Sequence, residues 1–187
     1  QTWYNCNGLT SFPLIDISSA QNIGYAWYGC TSLTSFPLID TSTVIVFGSA
    51  WQGCSGLTSF PSIDTSAGIN FGYTWYGCSG LTSFPLIYTS AGTAFNHAWY
   101  GCANLTSFPA NMFDNCQATN YTSTFGACGL DETSVNGILV SIALAASTYT
   151  LTGDTLTMNG GTSAAPTGAG ITAKDALIAA GWTVTTN

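Results

Sequence analysis

One unit of 24 residues repeats along the first two thirds of the chain and constrains its fold more than any other feature. The clearest copy covers residues 27–50, equal copies cover 51–74 and 75–98, an earlier one covers 3–26, and a longer one begins at Trp99. Trp, Cys and the block Leu-Thr-Ser-Phe-Pro all recur at this spacing. A fixed period of roughly 20–29 residues with several apolar positions held per unit indicates a leucine-rich-repeat solenoid.

The repeat therefore predicts an α/β repeat fold, a short-strand leucine-rich-repeat solenoid of 24-residue coils with a parallel sheet. It covers residues 1–128, with coils starting at residues 3, 27, 51, 75 and 99 and a degenerate repeat from 125. The block Leu-Thr-Ser-Phe-Pro is the predicted strand, with Phe inward and Ser outward, and Pro ends it because it has no N–H to donate. Return segments such as residues 65–74 are predicted to be turns or one turn of 3₁₀ helix that pack Phe47, Phe71 and Phe95 inward. The position after Pro is predicted to be half-exposed.

Six cysteines share one phase of the repeat and are predicted to form a structural core column of free thiols, because identical rotamers on stacked coils point parallel rather than at each other. They are Cys6, Cys30, Cys54, Cys78, Cys102 and Cys128. Occasional pairing is the alternative. Cys116 lies off this phase, and the absence of a Cys-x-x-Cys pair argues against a metal site.

The 24-residue pattern does not continue after the repeats, and residues 129–187 are predicted to form a C-terminal cap of helix, strand, helix and strand. Apolar residues at helical spacing predict a helix over 132–146, capped by Asp131 or Thr133. A strand is predicted at 150–158, a helix over 173–180 with a capping box from Thr172 and an end at Gly181, and a final strand from Trp182. Such a cap continues the sheet and closes the core.

Charge limits the partners. Lys174 is the only basic side chain, against eight acidic residues and a net charge of −7. Phosphate neutralisation needs several Lys or Arg, so we expect no nucleic-acid partner and no anionic membrane surface.

No run approaches the ~18 apolar residues of a transmembrane segment. The chain opens QTWYNC without a secretory signal, which suggests a processed chain or part of a longer one. A neutral surface of Ser, Thr, Asn and Tyr indicates an extracellular, cell-surface or virion-surface location.

Two columns of residues are candidate ligand-binding positions. Exposed Tyr beside Ser is typical of adaptable recognition surfaces, and flat aromatic rings also suit sugar rings. The column that follows the inward Trp contains Tyr4, Tyr28, Tyr76 and Tyr100, with Gln52 in the third coil, and the strand column contains Ser11, Ser35, Ser59 and Ser83. Tyr stacking on Tyr to stiffen the coils is an equally good interpretation.

The sequence gives little indication of metal binding or catalysis. Asp16, Asp40 and Asp64 form a column that we expect to cap Asp-x-Ser turns, with calcium binding as the lesser alternative. His97 is interpreted as a solvated substituent. No catalytic motif is present, so we expect neither an enzyme nor a cofactor.

The pattern Ala-Trp-x-x-Cys-x-x-Leu-Thr-Ser-Phe-Pro resembles the treponema-type, BspA-like leucine-rich repeat, which runs Ala-Phe-x-x-Cys-x-x-Leu before a short apolar strand and a Pro. The resemblance covers residues 1–128 and departs in having Trp for Phe and an early Pro. The tail is similar to C-terminal ends of repeat proteins among bacterial surface proteins and tailed-phage virion proteins. The resemblance implies adhesion or ligand binding outside the cell, and it carries no catalytic motif.

The expected function is therefore a non-enzymatic recognition or adhesion module, in a bacterial surface adhesin or a phage fibre or decoration protein. Its expected partner is a cell-surface glycan, a protein receptor, or a neighbouring virion or surface protein. The alternative is a purely structural solenoid that builds filaments or lattices as a homo-oligomer through the first coil. Ice binding is a weaker alternative, based on the hydroxyl column Thr10, Thr34, Thr58, Thr82 and Thr106.

Overall fold

Backbone hydrogen bonds join each 24-residue segment to the next in the computed structural model, which describes residues 2–152 and 155–187. The amide of Trp27 donates to the carbonyl of Ala50 at 2.9 Å, and Trp51 and Trp75 donate in the same way to Thr74 and Ala98 at 3.0 and 2.8 Å. Equivalent residues of successive segments therefore lie side by side. We call each segment a coil and number them one to five from Trp3. Membership of the leucine-rich-repeat class stays a prediction.

A glycine turn shapes coils two to five just after the Trp of each. Gly29, Gly53, Gly77 and Gly101 have φ angles of 71°, 76°, 70° and 74°, in the left-handed region that side chains other than Gly rarely adopt. The amide of Gly53 donates to the carbonyl of Tyr76 in the next coil at 2.7 Å. The turn thereby directs the Trp before it and the Cys after it into the core.

Stacked aromatic columns fill the core. The indoles of Trp27 and Trp51 stack with centroids 5.2 Å apart, and the Phe36 ring meets the Trp27 indole edge-on at 4.7 Å. A second column is formed by Phe47, Phe71 and Phe95, which are buried as predicted. The indole N–H groups of Trp27, Trp51, Trp75 and Trp99 are buried without a hydrogen-bond partner in the described part of the chain. The Trp column therefore stabilises the fold through apolar burial and ring packing.

The fifth coil continues these columns despite two extra residues. Phe125 stacks on Trp99 at 5.4 Å, and Tyr121 stacks on Phe95 at 5.7 Å. Tyr121 is buried, and its hydroxyl donates to the Cys116 sulfur at 3.3 Å. The off-phase cysteine thus satisfies the one polar atom that a Tyr brings into a Phe column.

The prediction of a strand in Leu-Thr-Ser-Phe-Pro was wrong. Among the described coils this block forms one isolated parallel bridge, Ser83 to Ser107. The parallel ladder lies instead in the return segment as a series of single bridges between successive coils, which joins Asn22, Val46, Asn70, Ala94 and Asn120. Much of the rest of the return segment forms turns, as predicted. The Pro after each Phe explains the difference, because it removes the donor that would extend a ladder there, whereas the return segment contains no Pro.

The position after Pro is half-exposed at Leu86, as predicted, and more exposed than predicted in coils one and two. Leu14 is 74% exposed and Leu38 is 63% exposed, whereas a half-exposed position was expected. The next residue points inward in coils two to four, since Ile39, Ile63 and Ile87 are buried.

The C-terminal region has the predicted order of helix, strand, helix and strand. These elements are α1 (Glu132–Thr148), β1 (Thr155–Thr157), α2 (Gly168–Ala179) and β2 (Thr183–Thr185). Asp131 caps α1, as predicted, by accepting from the Ser134 amide at 2.7 Å. β1 and β2 pair in parallel with Leu156 opposite Val184, and Tyr121 bridges to Leu156. The parallel ladder of the coils therefore continues into the C-terminal region.

Two details of this region differ from prediction. α2 begins at Gly168 with Thr167 as its N-cap, so the capping box at Thr172 and the start at 173 were wrong. Gly181, with φ 89°, follows the end of α2 as expected. The predicted strand at 150–158 includes residues 153 and 154, which lie outside the described residues. None of the described helices is both long enough and apolar enough to cross a membrane.

Candidate functional site

Two adjacent columns of aromatic side chains run across the coils on the outside, and we call them together the aromatic ridge. The second column is the predicted one, formed by Tyr4, Tyr28, Tyr76 and Tyr100. Tyr4 and Tyr28 stack with centroids 4.7 Å apart, as do Tyr76 and Tyr100 at 5.2 Å. Only Tyr4 is exposed, and the other three are half-buried. These rings therefore stiffen the coils and present part of their surface to solvent.

The first column contains Tyr25, Tyr73 and His97, which share one phase of the repeat but were not predicted to be site residues. All three have left-handed backbone, with φ of 60°, 59° and 57°. The interpretation of His97 as a solvated substituent was wrong, because its ring is half-buried and stacks on Tyr73 at 4.6 Å with an interplanar angle of 3°. Burial lowers the pKa of His97. The shared phase of His97 and the two tyrosines was the available signal.

The first column is interrupted at Ser49. This residue occupies the same phase as Tyr25 and Tyr73 and has the same left-handed backbone, with φ 58°. Ser49 is only 5% exposed, yet its hydroxyl has no hydrogen-bond partner among residues 2–152 and 155–187. In the second column Gln52 replaces Tyr. The aromatic ridge therefore lacks a ring in both columns where coil two meets coil three.

A groove of about 420 Å³ lies at this interruption, and we call it the Ser49 groove. Tyr25 and Tyr73 line it on either side of Ser49. Its other lining residues are Asn22, Gly24, Val46, Gly48, Asn70, Gly72, Ala94 and Asn96. No Asp, Glu, Lys or Arg is among them.

The asparagines of the Ser49 groove are oriented by their own backbone. The Oδ1 of Asn22 accepts from the Gly24 amide at 2.8 Å, and the Oδ1 of Asn70 accepts from the Gly72 amide at 2.9 Å. These Asx turns occupy the amide oxygens. The Nδ2 groups have no partner in the described part of the chain and remain available as donors.

A second groove, of about 450 Å³, lies where two other columns are broken. Ser62 replaces the Leu that follows Pro in the neighbouring coils, and Tyr88 replaces the Asp of the earlier coils. The Ser62 hydroxyl donates to the Leu86 carbonyl at 2.7 Å, which satisfies it. This groove was not predicted, although both departures from the repeat are visible in the sequence.

The predicted serine column is exposed. Ser11, Ser35, Ser59 and Ser83 all face solvent, and none of them lines either groove. The structure therefore does not bring the serine column together with the grooves. The neighbouring threonines are tied to the fold, since the Thr34 hydroxyl donates to the Thr10 carbonyl at 3.1 Å and Thr106 does the same to Thr82 at 3.2 Å.

The Asp column caps turns, as expected. The Oδ1 of Asp16 accepts from both the amide and the hydroxyl of Ser18, at 3.0 and 2.7 Å, and Asp40 does the same with Ser42. These hydrogen bonds lower the pKa of Asp16 and Asp40. Asp64 accepts from the Ser66 amide at 2.9 Å. Within the described residues no group of three or more His, Cys, Asp or Glu could hold a metal ion, so the calcium alternative at this column has no ligand cluster.

The cysteine column lies inside the coils. All described cysteines are free, and all are buried except the half-buried Cys6. Burial raises the pKa of Cys54 and of Cys128 to about 12, and raises the pKa of Cys78 and Cys102 well above the ordinary value. Thiols in this state are protonated and unsuited to nucleophilic or metal chemistry.

No protein-family model matches the chain, and neither curated proteins nor solved structures gave a match.

Proposed function

We propose that the chain is a non-enzymatic recognition module that works outside the cell, on a cell or virion surface, and binds its partner through the aromatic ridge. The observation that carries the proposal is the ridge itself, in which half-buried rings such as Tyr76 and Tyr100 are held by stacking and still reach solvent. Rings fixed in this way offer contact area at little conformational cost, which is the usual basis of aromatic recognition surfaces.

Charge supports an uncharged partner surface. The chain has one basic side chain, Lys174, and its ammonium donates to the Thr186 hydroxyl at 2.8 Å in the C-terminal region, whereas the ridge contains Tyr, His, Ser and Gln. A cell-surface glycan or a protein receptor fits this surface better than an anionic polymer.

The test is the paired substitution Tyr28→Ala and Tyr76→Ala, made in the second column at two separated coils. We expect loss of binding to the host cell or surface, measured with labelled protein, while thermal unfolding remains cooperative. Ser35→Ala, in the exposed serine column, is the matched control and should bind normally. Unchanged binding by the Tyr variant would exclude the ridge as the binding surface.

A structural role is the second candidate, and one observation favours it. Trp3, Cys6 and Leu9 of coil one are half-buried, whereas the equivalent Trp27, Cys30 and Leu33 are fully buried. A second copy of the chain stacked on coil one would bury them, as would preceding chain in a longer protein. Sedimentation at increasing concentration tests self-association, and Leu9→Asp should abolish it.

A further inference from the structure

We propose that the Ser49 groove binds one ring of a neutral glycan, held between Tyr25 and Tyr73. The inference rests on the proposed recognition function and names the ligand class. Ser49 occupies the equivalent position between these two tyrosines, so the first column of the aromatic ridge is missing one ring there.

The spacing of the coils suits one inserted ring. Adjacent rings of the same column, Tyr73 and His97, lie 4.6 Å apart and nearly parallel. Tyr25 and Tyr73 are separated by two coils, which is roughly 10 Å at the usual strand spacing. A flat ring at the level of Ser49 would therefore lie about 5 Å from each tyrosine, within the range at which rings pack face to face. The apolar C–H face of a pyranose meets the same requirement.

Polar groups of the Ser49 groove match sugar hydroxyls. Ser49 is 95% buried by its neighbours, since 5% of it is exposed, and its hydroxyl is unpartnered in the described chain. The Nδ2 groups of Asn22 and Asn70 are also without partners there, while their oxygens are held by backbone amides. These groups have no hydrogen-bond partner among the described residues, so a ligand that supplies hydroxyls can pair with them without breaking a hydrogen bond within the protein. A few converging polar groups in a mostly apolar groove are typical of a small-ligand site.

The absence of charge selects among glycans. The lining residues include no Lys or Arg to pair with a sialic acid or a sulfate, and no carboxylate to hold an amino sugar in its cationic form. Placing an anion here would cost its desolvation without a compensating ion pair. The expected ligand is therefore a neutral hexose or N-acetylhexosamine unit.

Gly48, which lines the Ser49 groove, also favours a ligand. A Cβ at Gly48 would meet nothing closer than 3.6 Å, so this glycine is not forced by crowding within the protein. Its φ is not among the positive values, so the backbone does not demand glycine either. A glycine that neither packing nor conformation requires leaves open the space that a ring would occupy.

The test places an aromatic ring at the Ser49 position of the first column. Ser49→Tyr places the residue type of the neighbouring coils at a backbone angle that Tyr25 and Tyr73 already adopt, so the variant should fold. The probe is an array of neutral hexose and N-acetylhexosamine oligosaccharides, with sialylated and sulfated ones beside them. We expect the unmodified protein to bind members of the neutral set, and Ser49→Tyr to weaken that binding at least about tenfold, because the ring site and its hydrogen bonds are both lost.

Two further variants keep the test decisive. Gly48→Ala adds a methyl group to the floor of the groove and should also weaken neutral glycan binding, whereas Ser59→Tyr, in the exposed serine column, should leave it unchanged. If Ser49→Tyr fails to fold, Gly48→Ala takes its place.

Several outcomes overturn the inference. It is wrong if neutral glycans bind equally to the unmodified protein and to Ser49→Tyr, or if anionic glycans or aromatic peptides bind the groove in preference to neutral glycans. It is also wrong if no glycan binds. In that last case binding to cells that still depends on Tyr28 and Tyr76 would leave the recognition function standing, and its loss would remove both proposals.

Discussion

The Cys54 thiol donates to the carbonyl oxygen of Trp27 in the preceding coil, with the sulfur 3.1 Å from that oxygen. The same contact links four further pairs of the two columns, Cys30 with Trp3, Cys78 with Trp51, Cys102 with Trp75 and Cys128 with Trp99. Cysteine behaves as a small apolar residue with a weak donor, so it suits a core position that faces a carbonyl group. This relationship explains the recurrence of Cys without any disulfide.

Removal of this sulfur should destabilise the protein. We expect Cys54→Ala to lower the free energy of unfolding by about 1–3 kcal/mol, because it deletes buried volume and the contact with the Trp27 carbonyl. Urea unfolding measures the change. Cys6→Ala, at the half-buried end of the column, should cost less, and equal losses at the two positions would contradict the argument.

Thiol reactivity should divide the seven cysteines into two groups. The burial that raises the pKa of Cys54 and Cys128 to about 12 leaves almost no thiolate at pH 8, and it also blocks access. In native protein we expect a thiol reagent to modify Cys6 alone at a measurable rate, and all seven cysteines in 8 M urea. Cys6→Ser should abolish the fast native reaction, and rapid modification of several thiols would disprove the buried column.

Alkaline pH should destabilise the fold. The thiols of the unfolded chain ionise near pH 8.5, whereas folding holds the pKa of Cys54 and Cys128 at about 12. Between these values the unfolded chain has lost protons that the folded chain retains, so the free energy of unfolding falls as pH rises from about 8.5 to 12. The urea midpoint measured across this range should decrease steadily, and more gently in Cys54→Ala. A flat profile would contradict the pKa shifts.

Two glycines of neighbouring sequence should respond differently to the same substitution. Gly53 has φ 76°, where a Cβ is strained, and we expect Gly53→Ala to cost about 1–2 kcal/mol. Gly48 has no positive φ and has room for a methyl group, so Gly48→Ala should change the free energy of unfolding by less than about 0.5 kcal/mol. Thermal unfolding of the pair tests this, and similar losses would show that the turn is not the cause.

Two serines, Ser134 and Ser141, attach α1 to the fifth coil by hydrogen bonds. The Ser141 hydroxyl donates to the Asp114 carboxylate at 2.5 Å and accepts from the Phe113 amide at 2.9 Å. Ser141→Ala leaves the buried amide without its partner, and we expect a loss of about 1–3 kcal/mol in the free energy of unfolding. The exposed Ser147 of the same helix is the control, since Ser147→Ala should be near neutral. A neutral Ser141→Ala would mean that the hydrogen bonds of Ser141 do not contribute to the attachment of α1.

The features that could be predicted from the sequence are those that depend on local residue patterns. The inward positions of Phe47 and Phe71 and the start of α1 at Asp131 follow from apolar spacing and cap chemistry, which act locally. The ladder through Asn22 and Val46 was placed in the wrong segment, because β pairing depends on which backbone groups meet across coils, and side-chain patterns report that only indirectly.

The candidate site was less accessible to sequence reasoning than the core. The second column, with Tyr28 and Tyr76, was predicted from its period. The first column was interpreted as a variable position, because Ser49 and His97 interrupt its tyrosines. The left-handed backbone that aligns Ser49 with Tyr25 is visible only in three dimensions. The Ser49 groove is thus marked by a departure from the repeat, and its meaning depends on what the coils on either side place beside it.

The parallel ladder that runs from Asn22 through the coils to β2 has a mechanical consequence. Its hydrogen bonds point along the direction in which the coils stack, so tension applied along that direction loads one interface at a time, as in a zipper, rather than all together in shear. Each coil that peels away would release 24 residues, or about 80 Å of extended chain. Such a chain would lengthen in regular steps under load and act as an extensible tether.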